Sequence, residues 1–392
     1  MNFNTIGIIC EYNPFHFGHL YHINKTRELT KCKNLVCVMS GSVVQRGDVA
    51  LLDKWTRTKA AVDAGADLVV ELPAYYVLQS ADVFAYGGIK LLNDMKIVDA
   101  VSFGSESGRI ESLKKAGEFL SNPTEEYRAF LSDSLKSGNG YPASVEYALR
   151  KCLDIDDENF FSPNNILATE YIAAAKRLES AMEFVTVERR NNYHSSHSSD
   201  GYLSATAVRD LMKSGSAYEK YAPDYSASPR FVLENAEAYV LGFLRNVSPS
   251  ELKKVKGHEE GMANLVINSA KKASCLEELF EMCVSRRYTR HRIRRFVMCA
   301  ILGINCTLEC DYLRVLGFNS AGAGLLKQLK EKSELTIITK TADYLGSRMF
   351  DIDVAATDFA YLCCDIREKR ICGYDFVNGP YVHGKINWNG NA

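Results

Sequence analysis

The sequence predicts an α/β protein with an N-terminal parallel sheet and a mainly helical C-terminal region. Short apolar runs alternate with helical patterns over the first 105 residues, and such alternation implies right-handed βαβ units. The length of 392 residues suits about two domains. A composition of 46% hydrophobic and 24% charged residues is typical of a globular protein with a large core.

The predicted elements follow one another in a regular order. Strands are predicted at Thr5–Cys10, Leu35–Met39, Leu68–Leu72, Ala100–Phe103 and Met182–Val187. Helices are predicted at about 18–29, from the N-cap Asp53 to about Ala64 with Gly65 as its stop, at 81–92, after the Ser162-Pro163 pair, and near 206–213. Beyond 229 helices dominate, and Tyr312–Phe318 with Leu335–Thr339 are predicted to form a small strand pair.

A boundary is predicted at residues 214–229, which mix Gly, Ser, Pro and Tyr. It separates an N-terminal α/β unit at 1–215 from a mainly helical unit at 230–392. The formal net charge of -1 hides an asymmetry, because residues 1–200 carry a net charge of -5 and residues 201–392 a net charge of +4. The basic half could therefore bind a polyanion.

Composition also excludes several classes of protein. Twelve cysteines show no paired CxxC set, and a chain of this size needs no disulfide framework, so neither disulfides nor a zinc site is predicted. No stretch approaches 18 apolar residues, and the start lacks the pattern of a signal peptide. We therefore expect no membrane association, reduced thiols and a cytoplasmic location.

The segment EYNPFHFGHL (Glu11–Leu20) carries the clearest chemistry. It lies between the first strand and the first helix, where a helix N-terminus and a strand end form an anion site in α/β sheets. Three of the eight histidines, His16, His19 and His22, fall within seven residues around Gly18. Imidazoles in this place can stabilise charge on a departing pyrophosphate, so His16 and His19 are the predicted catalytic residues.

This segment resembles the HxGH signature of the nucleotidyltransferase superfamily, whose Rossmann-like domain binds ATP phosphates. A second segment, LSATAVR (Leu203–Arg209), is similar to the superfamily's ISSTxxR element. There a helix start and an arginine hold the triphosphate. A plain N-capped helix is the alternative for this segment taken alone.

Longer blocks narrow the resemblance over about residues 5–212. They are EYNPFHFGHLYHI, MSGSVVQRGDVALLDKW, GADLVVELP, QSADVFAYGG, VSFGSE, SPNNILATEYI and YLSATAVR. In this order they resemble the bacterial tRNA(Met) cytidine acetate ligase family. The resemblance implies that acetate and ATP form acetyl-adenylate, and that the acetyl group passes to N4 of the wobble cytidine of elongator tRNA(Met). Acetyl-coenzyme A is not the expected donor, and Mg²⁺ is expected with ATP.

The resemblance also implies the residues of the ATP site. They are Ile9, Cys10, Glu11, Tyr12, Asn13, Pro14, Phe15, His16, Phe17, Gly18, His19, Leu20, Tyr21, His22, Gly104, Asn164, Arg189, Ser204, Thr206 and Arg209. Asn165 and Arg190 are alternatives to their neighbours Asn164 and Arg189. Lys54 and Arg46 either hold phosphate or acetate or are solvated, and Glu11 and Asp48 could assist magnesium.

The segment SRRYTRHRIRRF (Ser285–Phe296) predicts an RNA-binding surface. It holds six arginines, and no acidic residue lies between Glu281 and Glu309. Guanidinium groups suit RNA phosphates and aromatic rings can stack on bases. The predicted tRNA-binding residues are Arg286, Arg287, Arg290 and Arg294, and the alternative is a solvated face paired with acidic neighbours.

Two other functions share part of this evidence. An adenylyltransferase acting on a small phosphorylated metabolite would have both motifs but would not need the arginine-rich half. A non-catalytic RNA-binding protein could keep a nucleotide site as a scaffold, although the intact His16 and His19 argue against it. The sequence carries no signal for an oligomeric state or for the base that would deprotonate the cytidine.

Overall fold

A sheet of eight strands organises the computed structural model, which describes residues 2–106, 108–155, 160–189, 202–344 and 346–384. The strands are β1 (Thr5–Cys10), β2 (Asn34–Ser40), β3 (Val43–Val44), β4 (Asp48–Val49), β5 (Leu68–Leu72), β6 (Ala100–Ser105), β7 (Glu183–Glu188), β8 (Tyr312–Phe318), β9 (Thr336–Ile338) and β10 (Tyr381–Val382). Their order is β10-β8-β5-β2-β1-β6-β7, with β9 paired to β8 and with β3 and β4 forming a separate hairpin.

Helices surround this sheet. They are α1 (Phe17–Thr30), α2 (Lys54–Asp63), α3 (Ala74–Val77), α4 (Ala81–Asp94), α5 (Ile110–Ser121), α6 (Glu125–Lys136), α7 (Tyr141–Cys152), α8 (Pro163–Arg177), α9 (Ala205–Ser214), α10 (Glu237–Asn246), α11 (Pro249–Leu252), α12 (Met262–Lys272), α13 (Leu276–Cys283), α14 (Arg290–Ile301), α15 (Ser320–Lys332), α16 (Arg348–Leu362) and α17 (Tyr374–Val377). The predicted fold class is confirmed.

The five predicted N-terminal strands are all present, and their pairing is parallel. β1 pairs with β2 and β6, β2 with β5, and β6 with β7. β1, β2 and β5 consist almost wholly of buried side chains because helices cover both faces of the sheet, which explains why they are mainly apolar in the sequence, with Glu71 as their one charged residue. The chain moves to one side of β1 for β2 and β5 and to the other for β6 and β7. The carboxyl ends of β1 and β6 therefore form a topological switch point, the usual ligand position.

The C-terminal region returns to this sheet. β8 pairs with β9 as predicted, but it also lies antiparallel to β5, and β10 adds a further strand beyond it. The largest apolar core likewise runs from Val36 to Cys364. The division at 214–229 stays a prediction, and both the sheet and its core extend across it.

Local signals explain where two of the helices begin. The Asp53 carboxylate accepts a hydrogen bond from Thr56 N at 2.8 Å, which caps α2 as predicted. Ser162 precedes α8 as predicted, but its hydroxyl donates to Glu106 Oε2 at 2.7 Å and makes no side-chain cap. That bond ties the start of α8 to the end of β6.

Candidate active site

The histidine turn joins β1 to α1 at the switch point. His16 is the N-cap of α1, and its Nδ1 accepts a hydrogen bond from Gly18 N at 3.0 Å. His19 Nδ1 accepts from His16 N at 3.2 Å, and the two ring centroids lie 3.8 Å apart. A neutral imidazole whose Nδ1 accepts must carry its proton on Nε2. Each ring is therefore left with an Nε2–H donor.

Both imidazoles are neutral at neutral pH. Burial, followed by the nearby Arg189 and Arg209, lowers the pKa of His16 to about 3. Burial also lowers the pKa of His19 well below its ordinary value, with His16 and Arg189 adding to the effect. Burial is the main cause of both shifts, and the neighbouring arginines and imidazoles add to it. Such surroundings suit a polyanionic ligand.

The histidines line a cleft of about 640 Å³, counting its open mouth. Its walls are His16, Gly18, His19, Tyr21, His22, Gly104, Val187, Glu188, Arg189, Tyr202, Leu203 and Ser204. Eight of these residues belong to the predicted ATP site, and they come from four segments of the sequence.

Arg189 and Gly104 form the wall opposite the histidine turn. A Cβ on Gly104 would lie 3.3 Å from Arg189 Cγ, so glycine lets the arginine pass close to the strand. Arg189 Nη1 donates to Asn164 Oδ1 at 3.4 Å, but its buried Nε has no hydrogen-bond partner in the described part of the chain. An unpaired buried guanidinium N–H is costly without a ligand, so this donor fits a phosphate oxygen.

The structure separates the two candidate asparagines by environment. Asn165 is fully buried, and its Oδ1 accepts from Ser105 Oγ at 2.7 Å and from Glu106 N at 3.2 Å. Asn164 is partly exposed and contacts Arg189. Asn164 is therefore the neighbour of the cleft, while Asn165 supports the end of β6. The other alternative, Arg190, lies outside the described residues.

The second predicted motif meets the first through Arg209. Ser204 caps α9 by accepting from Ala207 N at 3.2 Å. Arg209 Nη1 donates to Asn13 O at 2.6 Å, and its Nη2 donates to Thr206 Oγ1 at 2.9 Å. Arg209 therefore positions the histidine turn, and Leu203 and Ser204 are the members of this motif that line the cleft.

Much of the predicted segment from Ile9 to His22 packs into the core and supports the histidine turn from there. Tyr12 and Phe15 are almost fully buried in a core cluster with β1 and β2, against which Cys10 and Leu20 also pack. Asn13 Oδ1 accepts from Leu51 N at 2.8 Å, and Phe17 N donates to Tyr221 O at 2.8 Å. Within this run the cleft is lined by His16, Gly18, His19, Tyr21 and His22. Ligand contacts of the remaining members stay predictions.

A buried arginine that sequence reasoning missed fixes the strand ends. Arg57 on α2 is fully buried, and its Nη1 donates to Glu11 O at 2.6 Å and to Ser40 O at 3.0 Å. It also donates to the Leu52 and Gly41 carbonyls. It joins the loops after β1 and β2. Only the fold brings these carbonyls together, so the sequence held no signal for them. The cleft-lining Val187 and Glu188 could have been inferred from their place at the end of a strand.

Lys54 does not line the cleft and is paired within the protein. It is fully buried, and its Nζ lies 2.8 Å from both Glu71 Oε1 and Asp375 Oδ1. Arg314 completes the group, with Nη1 3.1 Å from Glu71 Oε2 and Nη2 2.7 Å from Asp375 Oδ1. Together these residues form an ion cluster, which consists of Lys54, Glu71, Arg314 and Asp375. Its charges are mutually paired, so its role is structural.

The residues considered for magnesium are also engaged. Glu11 Oε1 accepts from Gln45 N at 2.6 Å, and burial raises its pKa despite the nearby arginines. Asp48 Oδ2 lies 2.5 Å from Arg294 Nη2. Within the described ranges, no group of three or more His, Cys, Asp or Glu residues could hold a metal ion.

The predicted RNA-binding arginines fall into two groups. Arg294 is only 12% exposed and pairs with Asp48, while Arg290 pairs with Glu277 on α13. Arg286 and Arg287 precede α14 and are exposed, and Arg287 Nε lies 3.5 Å from Glu259. The acidic partners are distant in sequence, which is why the segment alone looked unpaired. Part of the segment therefore fits the alternative of a paired face, and Arg286 and Arg287 are the accessible cations.

No helix in the described part of the chain is long and apolar enough to cross a membrane. The cytoplasmic location stays a prediction.

Comparison with known proteins agrees with the fold and the cleft. The HIGH Nucleotidyl Transferase family matches residues 3–371, so the chain belongs to this class of protein. A tRNA(Met) cytidine acetate ligase of Thermoanaerobacter sp. (strain X514) is 38% identical over 95% of this chain and 98% of its own. One from Clostridium perfringens (strain ATCC 13124) is 36% identical over 91% and 94%.

Solved structures give the same result. The crystal structure of Thermotoga maritima TmcAL bound with alpha-thio ATP has a TM-score of 0.88 and 30% identity, covering 97% of this chain and 99% of that one. Its apo form has a TM-score of 0.89 at the same identity and coverage. Within the nucleotidyltransferases, the chain belongs to the tRNA(Met) cytidine acetate ligase family.

Proposed function

We propose that the protein is an ATP-dependent ligase that converts acetate to acetyl-adenylate and transfers the acetyl group to N4 of the wobble cytidine, position 34, of elongator tRNA(Met). The observation that carries the proposal is the cleft at the switch point, where two neutral Nε2–H donors face a partly unpaired Arg189. The chain's relatives are named for this reaction. Acetyl-coenzyme A has no part in it.

In the first step an acetate oxygen attacks the α-phosphorus of ATP. The bond from that phosphorus to the bridging oxygen breaks, and diphosphate leaves with the electron pair. The Nε2–H groups of His16 and His19 donate to the phosphates as this charge develops. Arg189 balances the charge, and Arg209 holds the histidine turn in place. Mg²⁺ would bind to the phosphate oxygens themselves, because magnesium usually keeps several waters and few protein ligands.

In the second step N4 of the cytidine attacks the acetyl carbon. The carbon–oxygen bond to AMP breaks, AMP leaves with that oxygen, and N4 loses a proton. Adenylation is needed because acetate is otherwise a poor electrophile. The wobble base must leave its stack to reach the cleft, as is common in single-stranded RNA recognition.

The test combines the purified protein with ATP, labelled acetate and unmodified elongator tRNA(Met). Label in the tRNA and release of AMP are expected, with the same tRNA bearing uridine at position 34 as the control. Transfer from acetyl-coenzyme A but not from acetate would contradict the proposed mechanism. An adenylyltransferase of small metabolites would instead show ATP–diphosphate exchange that depends on its phosphorylated acceptor and not on acetate, and a non-catalytic RNA-binding protein would show no exchange with either.

We propose that Arg286 and Arg287 contact the tRNA, because they are the accessible cations of the predicted segment. Replacing both with Glu is expected to weaken tRNA binding about 10-fold or more at low salt, since each lost phosphate contact removes counterion release. ATP affinity should not change. Equal tRNA affinity of wild type and double variant, measured over a salt series, would remove this assignment.

A further inference from the structure

His22 is the third imidazole of the cleft, and it differs from the other two in how it is held. It lies on α1 and lines the cleft. Its Nε2 lies 3.1 Å from Ser102 Oγ on β6, and Ser102 Oγ lies 2.7 Å from Thr26 Oγ1 on α1. Its Nδ1 has no hydrogen-bond partner in the described part of the chain. One nitrogen is thus bound to the protein and the other is left for the cleft.

The direction of the hydrogen bonds that link Thr26, Ser102 and His22 follows from the burial of Thr26. Thr26 is 0% exposed and Ser102 is 1% exposed, so water cannot complete either hydroxyl. Within the described ranges, the only group that can accept the Thr26 hydroxyl proton is Ser102 Oγ. A buried hydroxyl without an acceptor is costly, so Thr26 donates to Ser102. The Ser102 proton then points to His22 Nε2.

The protonation state of His22 agrees with this direction. Burial, with a smaller contribution from Arg189, lowers the pKa of His22 to about 4, so the ring is neutral near pH 7. A neutral imidazole that accepts at Nε2 carries its proton on Nδ1. His16 and His19 have the opposite tautomer, because their Nδ1 atoms accept from backbone N–H groups.

We propose that Thr26 and Ser102 are positioning residues that fix His22 as its Nδ1–H tautomer, so that the third imidazole also donates a hydrogen bond into the cleft, to an oxyanion of the nucleotide. This inference rests on the proposed function for the identity of the anion. Without the two hydroxyl groups of Thr26 and Ser102, His22 could turn the lone pair of Nδ1 towards the phosphates, and the lone pair and the phosphate oxygens would repel each other. Three neutral histidines would then act as three fixed donors, two through Nε2 and one through Nδ1.

The first test reads the tautomer directly. Nitrogen-15 NMR of the protein without substrates is expected to show His22 protonated at Nδ1. Thr26→Val, which removes the hydroxyl and keeps the shape, should shift the population towards protonated Nε2, while Thr26→Ser should restore the wild-type pattern. Thr30→Val is the matched control, because Thr30 is a buried threonine on the same helix that bonds to Thr26 O and not to His22. A wild-type His22 protonated at Nε2 would overturn the inference.

The second test reads the rate of acetate-dependent ATP–diphosphate exchange. An asparagine amide can place its N–H near the position of Nδ1, whereas a glutamine amide reaches towards Nε2 and Ser102. We therefore expect His22→Gln to lose about 100-fold in kcat, as for the loss of one oxyanion donor, and His22→Asn to lose distinctly less. The reverse order would contradict a donor at Nδ1. A wild-type enzyme without acetate-dependent exchange would refute the proposed function and leave the tautomer result standing.

Discussion

Two polar regions lie along the same sheet, and they differ in how their charges are balanced. In the ion cluster, two buried cations face two buried carboxylates at 2.7–3.1 Å, and the four charges sum to zero. In the cleft, three imidazoles and Arg189 converge, and none of them forms an ion pair within the described residues, although Glu188 lines the cleft and the nearby Glu106 acts on the charge of Arg189. The ion cluster balances its charges internally, although Asp375 Oδ2 and Arg314 Nη1 make no hydrogen bond within the described residues, whereas the groups of the cleft could be balanced by an external anion. Pairing, more than burial, therefore distinguishes structural from functional polar groups here.

The pKa values express the same difference. Burial raises the pKa of Asp375, but Lys54 and Arg314 outweigh it and hold that pKa below the ordinary value. In the cleft, burial lowers the pKa of His16 and the surrounding arginines lower it further. Asp375 therefore keeps its charge, and burial keeps the imidazole of His16 neutral near pH 7.

The largest expected effect comes from breaking the ion cluster. Lys54→Met should lower the free energy of unfolding by about 3–5 kcal/mol, because it leaves two buried carboxylates with one cation. Lys59→Met, which breaks an exposed pair with Asp63 on the same helix, should cost about 0–1 kcal/mol. Urea denaturation of both variants measures the difference. Equal losses of unfolding free energy in the two variants would mean that the buried ion pairs stabilise the fold no more than the exposed pair does.

The next effect is on the cleft. Arg189→Met should weaken ATP binding about 10- to 100-fold, the range for losing a charged hydrogen bond, and change stability little. Arg177→Met is the control, because Arg177 donates to Leu120 O outside the cleft-lining set. Calorimetric titration with ATP and urea denaturation should separate the two variants. A large stability loss without an affinity loss for Arg189→Met would move this arginine into the structural group.

The smallest expected effect concerns the protonation of His16. Its pKa of about 3 lies below the ordinary value near 6.5, so the ring stays neutral in the folded protein where it would be protonated in the unfolded chain. Its contribution to stability should therefore fall as the pH falls from about 6.5 towards 3. NMR titration should find His16 neutral at pH 5, and ATP should raise its pKa. A measured pKa near 6.5 for His16 without ligand would contradict the burial of this ring.

The sequence predicted whatever depends on neighbours along the chain. β1 and β5 match their predicted bounds because each is a short, mainly apolar run, and Glu71 is the one charged residue within β5. The histidine turn was predictable because its cleft-lining histidines and its helix start share one short segment. Gly104 was implied by the family resemblance, and it lines the cleft near the end of β6.

What the sequence did not predict depends on distant partners. Lys54 looked like a loop cation because its partners Glu71 and Asp375 are brought to it only by the fold. Arg294 was predicted to contact RNA, and its pairing with Asp48 could not be foreseen because the hairpin of β3 and β4 is far from α14 in the sequence. β10 has two residues, too few for a pattern.

The composition of the ion cluster has a consequence for how the chain is made. Lys54 and Glu71 lie in the N-terminal half, and Arg314 and Asp375 lie in the C-terminal region. Each pair is neutral on its own, so the earlier part of the sheet can form during synthesis without an uncompensated buried charge. The later pair then arrives as a neutral unit when β8 joins β5. Pairing of β8 with β5 would thus bring together two neutral pairs and would need no transfer of a lone ion into the core.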